Sequence, residues 1–167
     1  MIYYISGGER SGKSSYAQKL AESLSEKPYY LATSRIWDAN FGKRVERHIA
    51  ERDERWTTIE EEKKISSVII ENTTVVIDCV TLWLTNYFTD TEFNVEKSLT
   101  LAKEEIDKLI TLKGNIIIIS NEIGMGLHAQ TKSGRQFTEL QGWTNQYIAN
   151  KADKATFMVS GLPLTLK

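Results

Sequence analysis

The residues best able to do chemistry fall in four short stretches. Gly7 to Ser14 reads GGERSGKS and fills the pattern G-x-x-x-x-G-K-[ST]. Glycines at Gly7, Gly8 and Gly12 let backbone N–H groups converge on phosphate oxygens, with Glu9, Arg10 and Ser11 completing the loop. Lys13 can reach the β and γ phosphates, and the Ser14 hydroxyl can hold Mg²⁺. Asp78 closes the run VVID, where a carboxylate can work on the same ion through its water shell, although an aspartate at a strand end is also an ordinary turn or cap residue. Asn121 and Glu122 follow IIIIS at a similar position; Glu122 can orient a nucleophile or bind substrate, or be a loop carboxylate. Finally, residues 44 to 56 read RVERHIAERDERW and hold His48, one of only two histidines.

These groups need a scaffold that brings strand ends together. Short runs rich in β-branched or aromatic residues recur at Ile2 to Ser6, Tyr29 to Ala32, Thr74 to Asp78, Asn115 to Ser120 and Ala155 to Val159. Their continuous apolar character, without alternation, predicts strands buried on both faces, hence a mainly parallel sheet covered by helices. Helical spacing of apolar residues appears over Ser14 to Leu24 and Val95 to Leu112. Alternation of strands and helices predicts a three-layer α/β fold over residues 1–167, one domain by length. In such sheets ligands sit beyond the carboxyl ends of the strands, which is where GGERSGKS, Asp78 and Glu122 fall.

A helix over residues 41 to 56 would turn about 100° per residue, placing Arg44, His48, Arg52 and Arg55 within roughly 80° of one another. Val45, Ile49 and Trp56 form an adjoining apolar stripe. Arginines clamp phosphates, and a neutral imidazole is a competent nucleophile toward phosphorus. The same row is also what a solvated helix with i,i+4 ion pairs looks like, and Glu51 lies within it. His128, in GMGLHAQTKSG, has no assigned role.

The formal charge of −1 gives no global field toward nucleic acid or an anionic membrane, so any anion site is local. A single cysteine, Cys79, excludes an internal disulfide framework and suits a reducing compartment. With no window of some 18 apolar residues, the expectation is a cytoplasmic protein without a membrane span.

With these motifs in place, the chain resembles the bifunctional adenosylcobinamide kinase / adenosylcobinamide-phosphate guanylyltransferase family of cobalamin assembly. The resemblance rests on GGERSGKS, YLATS at 30 to 34, RVERH at 44 to 48, WTTIE at 56 to 60, VVIDCVTLWLTN at 75 to 86, SNEIGMG at 120 to 126, GWTNQYIANKAD, and VSGLPLTLK at the end. It implies a RecA-like P-loop NTPase fold and two reactions. ATP or GTP phosphorylates the aminopropanol arm of adenosylcobinamide; GTP then guanylylates a histidine, and the GMP passes to adenosylcobinamide phosphate. The family's nucleophile falls on His48. Its phosphate loop falls on Gly7 to Ser14, with Lys13 as a second catalytic group, and its further nucleotide contacts fall on Thr33, Ser34, Arg35, Ile49, Ala50, Glu51, Arg52, Glu60 and Thr81. It also implies a corrinoid substrate and a homo-oligomer, commonly a trimer. After GMG the chain departs from the family pattern: LHAQTKSGRQFTEL keeps Arg135 and Phe137 but lacks the usual proline. Two other readings of the residues stand beside this one: a monofunctional small-molecule kinase in which His48 only binds phosphate, and a nucleotide-dependent switch.

Overall fold

A computed structural model of the chain describes residues 1–35 and 53–167. Seven strands form one sheet: β1 (Ile2–Gly7), β2 (Tyr29–Ala32), β3 (Thr57–Glu60), β4 (Thr73–Asp78), β5 (Gly114–Asn121), β6 (Lys154–Val159) and β7 (Leu162–Thr165). Their order is β3-β2-β4-β5-β1-β6-β7, and every pairing is parallel except β6 with β7. Four α-helices belong to the described residues: α1 (Lys13–Leu24), α2 (Val80–Asp90), α3 (Val95–Leu109) and α4 (Lys132–Lys151).

The continuous apolar strands are buried on both faces, as the sequence requires. In β5, Ile116 and Ile118 pack with α2, α3 and α4, whereas Ile117 and Ile119 face α1. Burying each such side chain contributes about 1.5–3 kcal/mol, which makes the period-2 division of this run a strong determinant of register. On one face Trp83, Leu84 and Phe88 of α2 join Ala102, Ile106 and Leu109 of α3 and Leu140 and Ile148 of α4; on the other, Ala17 and Ala21 of α1 lie against the sheet. The result is three layers, helix on sheet on helix. Helix starts follow capping chemistry: the Asn94 side chain accepts from the Lys97 N–H at 2.9 Å, and Thr131 Oγ1 accepts from the Gly134 N–H at 3.1 Å.

Two edges frame the site. β3 is an exposed edge strand beside β2. At the other edge β6 and β7 form a hairpin whose two-residue turn, Ser160 and Gly161, has positive φ at both positions.

Candidate functional site

The strand β1 runs into GGERSGKS and α1 leaves it, so the backbone N–H groups and the positive helix end share one small space. Gly7 has φ +154, and a Cβ there would stand 2.6 Å from the Met158 carbonyl oxygen and 2.7 Å from Ser11 Oγ. Gly12, the left-handed residue that opens α1, has φ +95, and its Cβ would be 3.2 Å from Gly161 Cα. The glycines are therefore fixed by the C-terminal hairpin as well as by phosphate access. The Gly161 N–H donates to the Ser11 carbonyl at 3.0 Å, bracing the loop from below.

Lys13 is buried, and its Nζ donates to the Gly8 carbonyl at 2.5 Å. Burial pushes its pKa below the ordinary lysine value, while Cys79, Asp78 and Glu9 pull it back up. A triphosphate offers that ammonium a far stronger partner than a carbonyl oxygen.

Asp78 ends β4, two strands from β1, and the structure brings its side chain to the cradle: Ser14 Oγ donates to Asp78 Oδ2 at 3.1 Å. Tyr30 OH donates to the same oxygen at 2.8 Å and holds the carboxylate in place from the neighbouring β2. A hydroxyl and a carboxylate on adjacent oxygens suit Mg²⁺, which takes few protein ligands and completes its shell with phosphate and water. Among the described residues no group of three or more His, Cys, Asp or Glu side chains converges, so a dedicated all-protein metal cage is not built there. Cys79, next in the chain, is buried, and burial pushes its thiol up to about 12, far from a reactive thiolate.

Between Asp78 and the cradle, β5 delivers Asn121 and Glu122. Asn121 pairs with Gly7 across the sheet, and the Glu122 N–H donates to the Gly7 carbonyl at 3.1 Å. Asn121 Nδ2 donates to Thr81 Oγ1 at 2.9 Å, tying β5 to the first turn of α2. Behind them lies a polar cluster absent from the sequence reading: Tyr4, Ser120, Gln141 and Asn145. Asn145 Nδ2 donates to Glu122 Oε1 at 3.0 Å, and Tyr4 OH donates to the same atom at 3.3 Å.

The expected contacts at the ends of β2 and β3 lie on the other side of β4 from the cradle. Thr33 is fully buried, donating from Oγ1 to the Cys79 carbonyl at 2.9 Å, so it holds β2 against the start of α2. Ser34 follows it. Arg35 is clamped by acidic partners: Nη1 and Nη2 each reach the Asp90 carboxylate at 2.7 Å, and Nε reaches Glu62 at 2.5 Å. Lys63 joins Asp90 at 2.5 Å, and Arg35 first, then Lys63, holds that carboxyl well below the usual range. Glu60 ends β3, four strand spacings from the cradle strand, on the order of 19 Å at about 4.8 Å per step. The structure thus gathers Gly7 to Ser14, Asp78 and Thr81 with Asn121 and Glu122, holds Thr33 against the Asp78 and Cys79 backbone, and sets Arg35 and Glu60 apart.

His48, Ile49, Ala50, Glu51 and Arg52 lie outside the described residues. The last residues of the expected 41 to 56 helix are described and are not helical. Asp53 to Trp56 form a turn closed by the Trp56 N–H donating to the Asp53 carbonyl at 3.2 Å. Aspartate chemistry explains it: Asp53 accepts from the Arg55 backbone N–H at 3.0 Å and its guanidinium at 2.7 Å, a local alternative to helix. Arg55 therefore lies in a turn, and the rest of the expected basic row, Arg44, His48 and Arg52, lies outside the described residues. Trp56 packs edge-on to Tyr30 and donates to Glu22 at 3.2 Å.

A strand, a glycine cradle with a buried lysine, a helix N-terminus and a carboxylate on a strand two places away define a P-loop nucleotide-binding protein of the RecA-like three-layer kind. The fold is similar to a solved prototypical ATPase from the type III secretion system of pathogenic bacteria, with TM-score 0.58 and 12% identity, covering 98% of this chain and 56% of that one. Residues 3–166 match the family described as cobinamide kinase / cobinamide phosphate guanyltransferase, and the chain belongs to that family. Curated relatives are the bifunctional adenosylcobalamin biosynthesis proteins CobP of Pseudomonas aeruginosa, 34% identical over 98% of this chain and 95% of the relative, and CobU of Escherichia coli K12, 31% identical over the full length of both. CobU of Salmonella typhimurium is 29% identical, again over both full lengths.

Proposed function

We propose that the protein phosphorylates adenosylcobinamide with ATP or GTP and then transfers GMP from GTP, through a guanylyl group on His48, to adenosylcobinamide phosphate, giving adenosyl-GDP-cobinamide. The observation that carries this reading is the cradle with Lys13 buried in it and Ser14 bonded to Asp78, in a chain whose family couples the two activities.

In the kinase step the cradle N–H groups and Lys13 hold the triphosphate and take up the charge that moves onto the leaving nucleoside diphosphate. The substrate hydroxyl attacks the γ phosphorus, its bond to the β,γ-bridging oxygen breaks, and the hydroxyl proton leaves. Ser14 and Asp78 are the residues that would hold Mg²⁺, which supplies charge neutralisation on the phosphates when bound. In the second step a nitrogen of His48 attacks the α phosphorus of GTP and pyrophosphate departs. The phosphate oxygen of the phosphorylated corrinoid then attacks the phosphoramidate, the N–P bond breaks, and neutral imidazole returns. The covalent step splits one difficult displacement into two easier ones. RVERH supplies the histidine with an arginine four residues before it.

The separation between the cradle and Glu60 supports a site extended along the carboxyl edge of the sheet, with Thr33 beside Asp78 and with Arg35 and Glu60 at its far end. The partners of this reading are a corrinoid substrate and further copies of the same chain in a homo-oligomer, and its setting is the cytoplasm.

The test is sequential. With adenosylcobinamide and γ-labelled ATP or GTP, label enters the corrinoid; added GTP then converts that product to adenosyl-GDP-cobinamide, detected by mass. Failure to phosphorylate with either nucleotide removes the kinase, and phosphorylation without conversion leaves a monofunctional kinase.

A further inference from the structure

We propose that Glu122 is the general base of the kinase step, taking the proton from the substrate hydroxyl as it attacks the γ phosphorus. The inference rests on the kinase half of the function above and adds a residue to it.

Position comes first. β5 lies between the strand that carries Asp78 and the strand that becomes the cradle, and Glu122 is the residue immediately beyond its end. Its backbone is pinned to the first cradle residue by the 3.1 Å bond to the Gly7 carbonyl. A carboxylate here stands at the mouth of the phosphate site on a rigid element, half-buried and reachable from solution.

The arrangement of its two oxygens is the second observation. Among the described residues, both hydrogen bonds to the carboxylate end on Oε1, from Asn145 Nδ2 and Tyr4 OH, leaving Oε2 uncommitted. The amide of Asn145 cannot flip without loss. Its Oδ1 accepts from Ser120 Oγ at 2.6 Å and Gln141 Nε2 at 3.3 Å, and its Nδ2 also donates to the Asn121 carbonyl at 3.1 Å. Burial first, then the charge of Glu122, pushes the Tyr4 hydroxyl above its ordinary range, so Tyr4 remains a donor and does not compete for the proton. Asn145 is thereby a positioning residue. It fixes one carboxylate oxygen and leaves the other available to a substrate.

The chemistry of the two steps separates this role from a structural one. The kinase acceptor is an alcohol, which must lose a proton while the γ phosphorus–oxygen bond breaks and the nucleoside diphosphate leaves. Glu122 takes that proton and becomes a neutral acid. The guanylyl acceptor is a phosphate, already ionised, and needs no base.

The experiment is Glu122→Gln, whose amide oxygen can still accept from Asn145 and Tyr4. Two rates are measured: phosphorylation of adenosylcobinamide, and GMP transfer to preformed adenosylcobinamide phosphate. General base loss predicts a kinase kcat lower by about 10²- to 10⁴-fold, with GMP transfer falling far less. The acid limb of the kinase pH–rate profile, present in wild type, disappears in Glu122→Gln, and Glu122→Asp recovers part of the rate. Equal losses in both rates, or an unchanged kinase rate with its acid limb intact, overturn the assignment of Glu122. A wild-type protein that phosphorylates no corrinoid overturns instead the function on which it rests.

Discussion

Two neighbouring glycines of the cradle carry opposite predictions. Alanine at Gly7 must accept φ +154, a conformation that costs an L side chain about 1–3 kcal/mol. Its Cβ would also stand 2.6 Å from the Met158 carbonyl oxygen, 2.7 Å from Ser11 Oγ and 3.2 Å from Met158 Cβ. The nearest obstacle is backbone of β6, which cannot rotate away, so overpacking adds about 1–3 kcal/mol. Together these give Gly7→Ala a loss of about 2–6 kcal/mol, and at about 2–4 °C per kcal/mol for a chain of this size the melting temperature falls by on the order of 10 °C. At Gly8 nothing lies within 4 Å of a built Cβ, and φ is not in the left-handed region. Gly8→Ala therefore stays within about 0.5 kcal/mol of wild type. The assay is thermal unfolding by circular dichroism, without nucleotide, at matched protein concentration. A Gly7→Ala protein that melts with wild type, or a Gly8→Ala protein equally damaged, would refute the view that β6 sets the glycine requirement at Gly7.

Two further outcomes follow from the site. Because burial holds the Lys13 pKa below 10.5, the folded protein without nucleotide binds fewer protons on Lys13 than the unfolded chain in the alkaline window between the lowered value and 10.5. Stability attributable to this group thus increases as pH rises through that window, and triphosphate, by favouring the charged form, takes up protons there. Calorimetric titration in alkaline buffers of different ionisation enthalpy should show that uptake, and Lys13→Met should abolish it. Asn86 is fully buried, and its Nδ2 donates to the Thr33 and Glu62 carbonyls at 2.7 and 2.9 Å. Asn86→Leu leaves both acceptors without this donor and lowers stability by about 1–3 kcal/mol for each acceptor left unsatisfied, measured by urea unfolding.

The parts of the fold that were legible are those where one physical signal dominates. Five apolar runs became β1, β2, β4, β5 and β6 with ends shifted by a residue at most, because strands buried on both faces admit few polar residues. β3 escaped notice since TTIE is short and largely exposed, and β7 since LPLT contains Pro163, tolerable only at an edge. The helix α4 was unread for a different reason: its buried face includes Gln141, Thr144 and Asn145, which breaks the apolar period. Of these, Asn145 donates to Glu122 Oε1 and Gln141 donates to Asn145 Oδ1, so part of what hid the helix is what holds that carboxylate. Tyr30 was hidden too, since a tyrosine in YYLA reads as an ordinary strand former until its hydroxyl is found on Asp78. The phosphate cradle needed no tertiary information, as its glycines, lysine and serine are contiguous in the chain.

The central claim is that His48 carries GMP between GTP and the corrinoid phosphate. Incubation with GTP labelled in the α phosphate, followed by denaturation, tests it without any corrinoid present. A phosphoramidate predicts label on the protein that is acid-labile and stable to alkali, retained in Glu122→Gln and absent in His48→Ala. Absence of label from wild type, or its persistence in His48→Ala, would contradict the account.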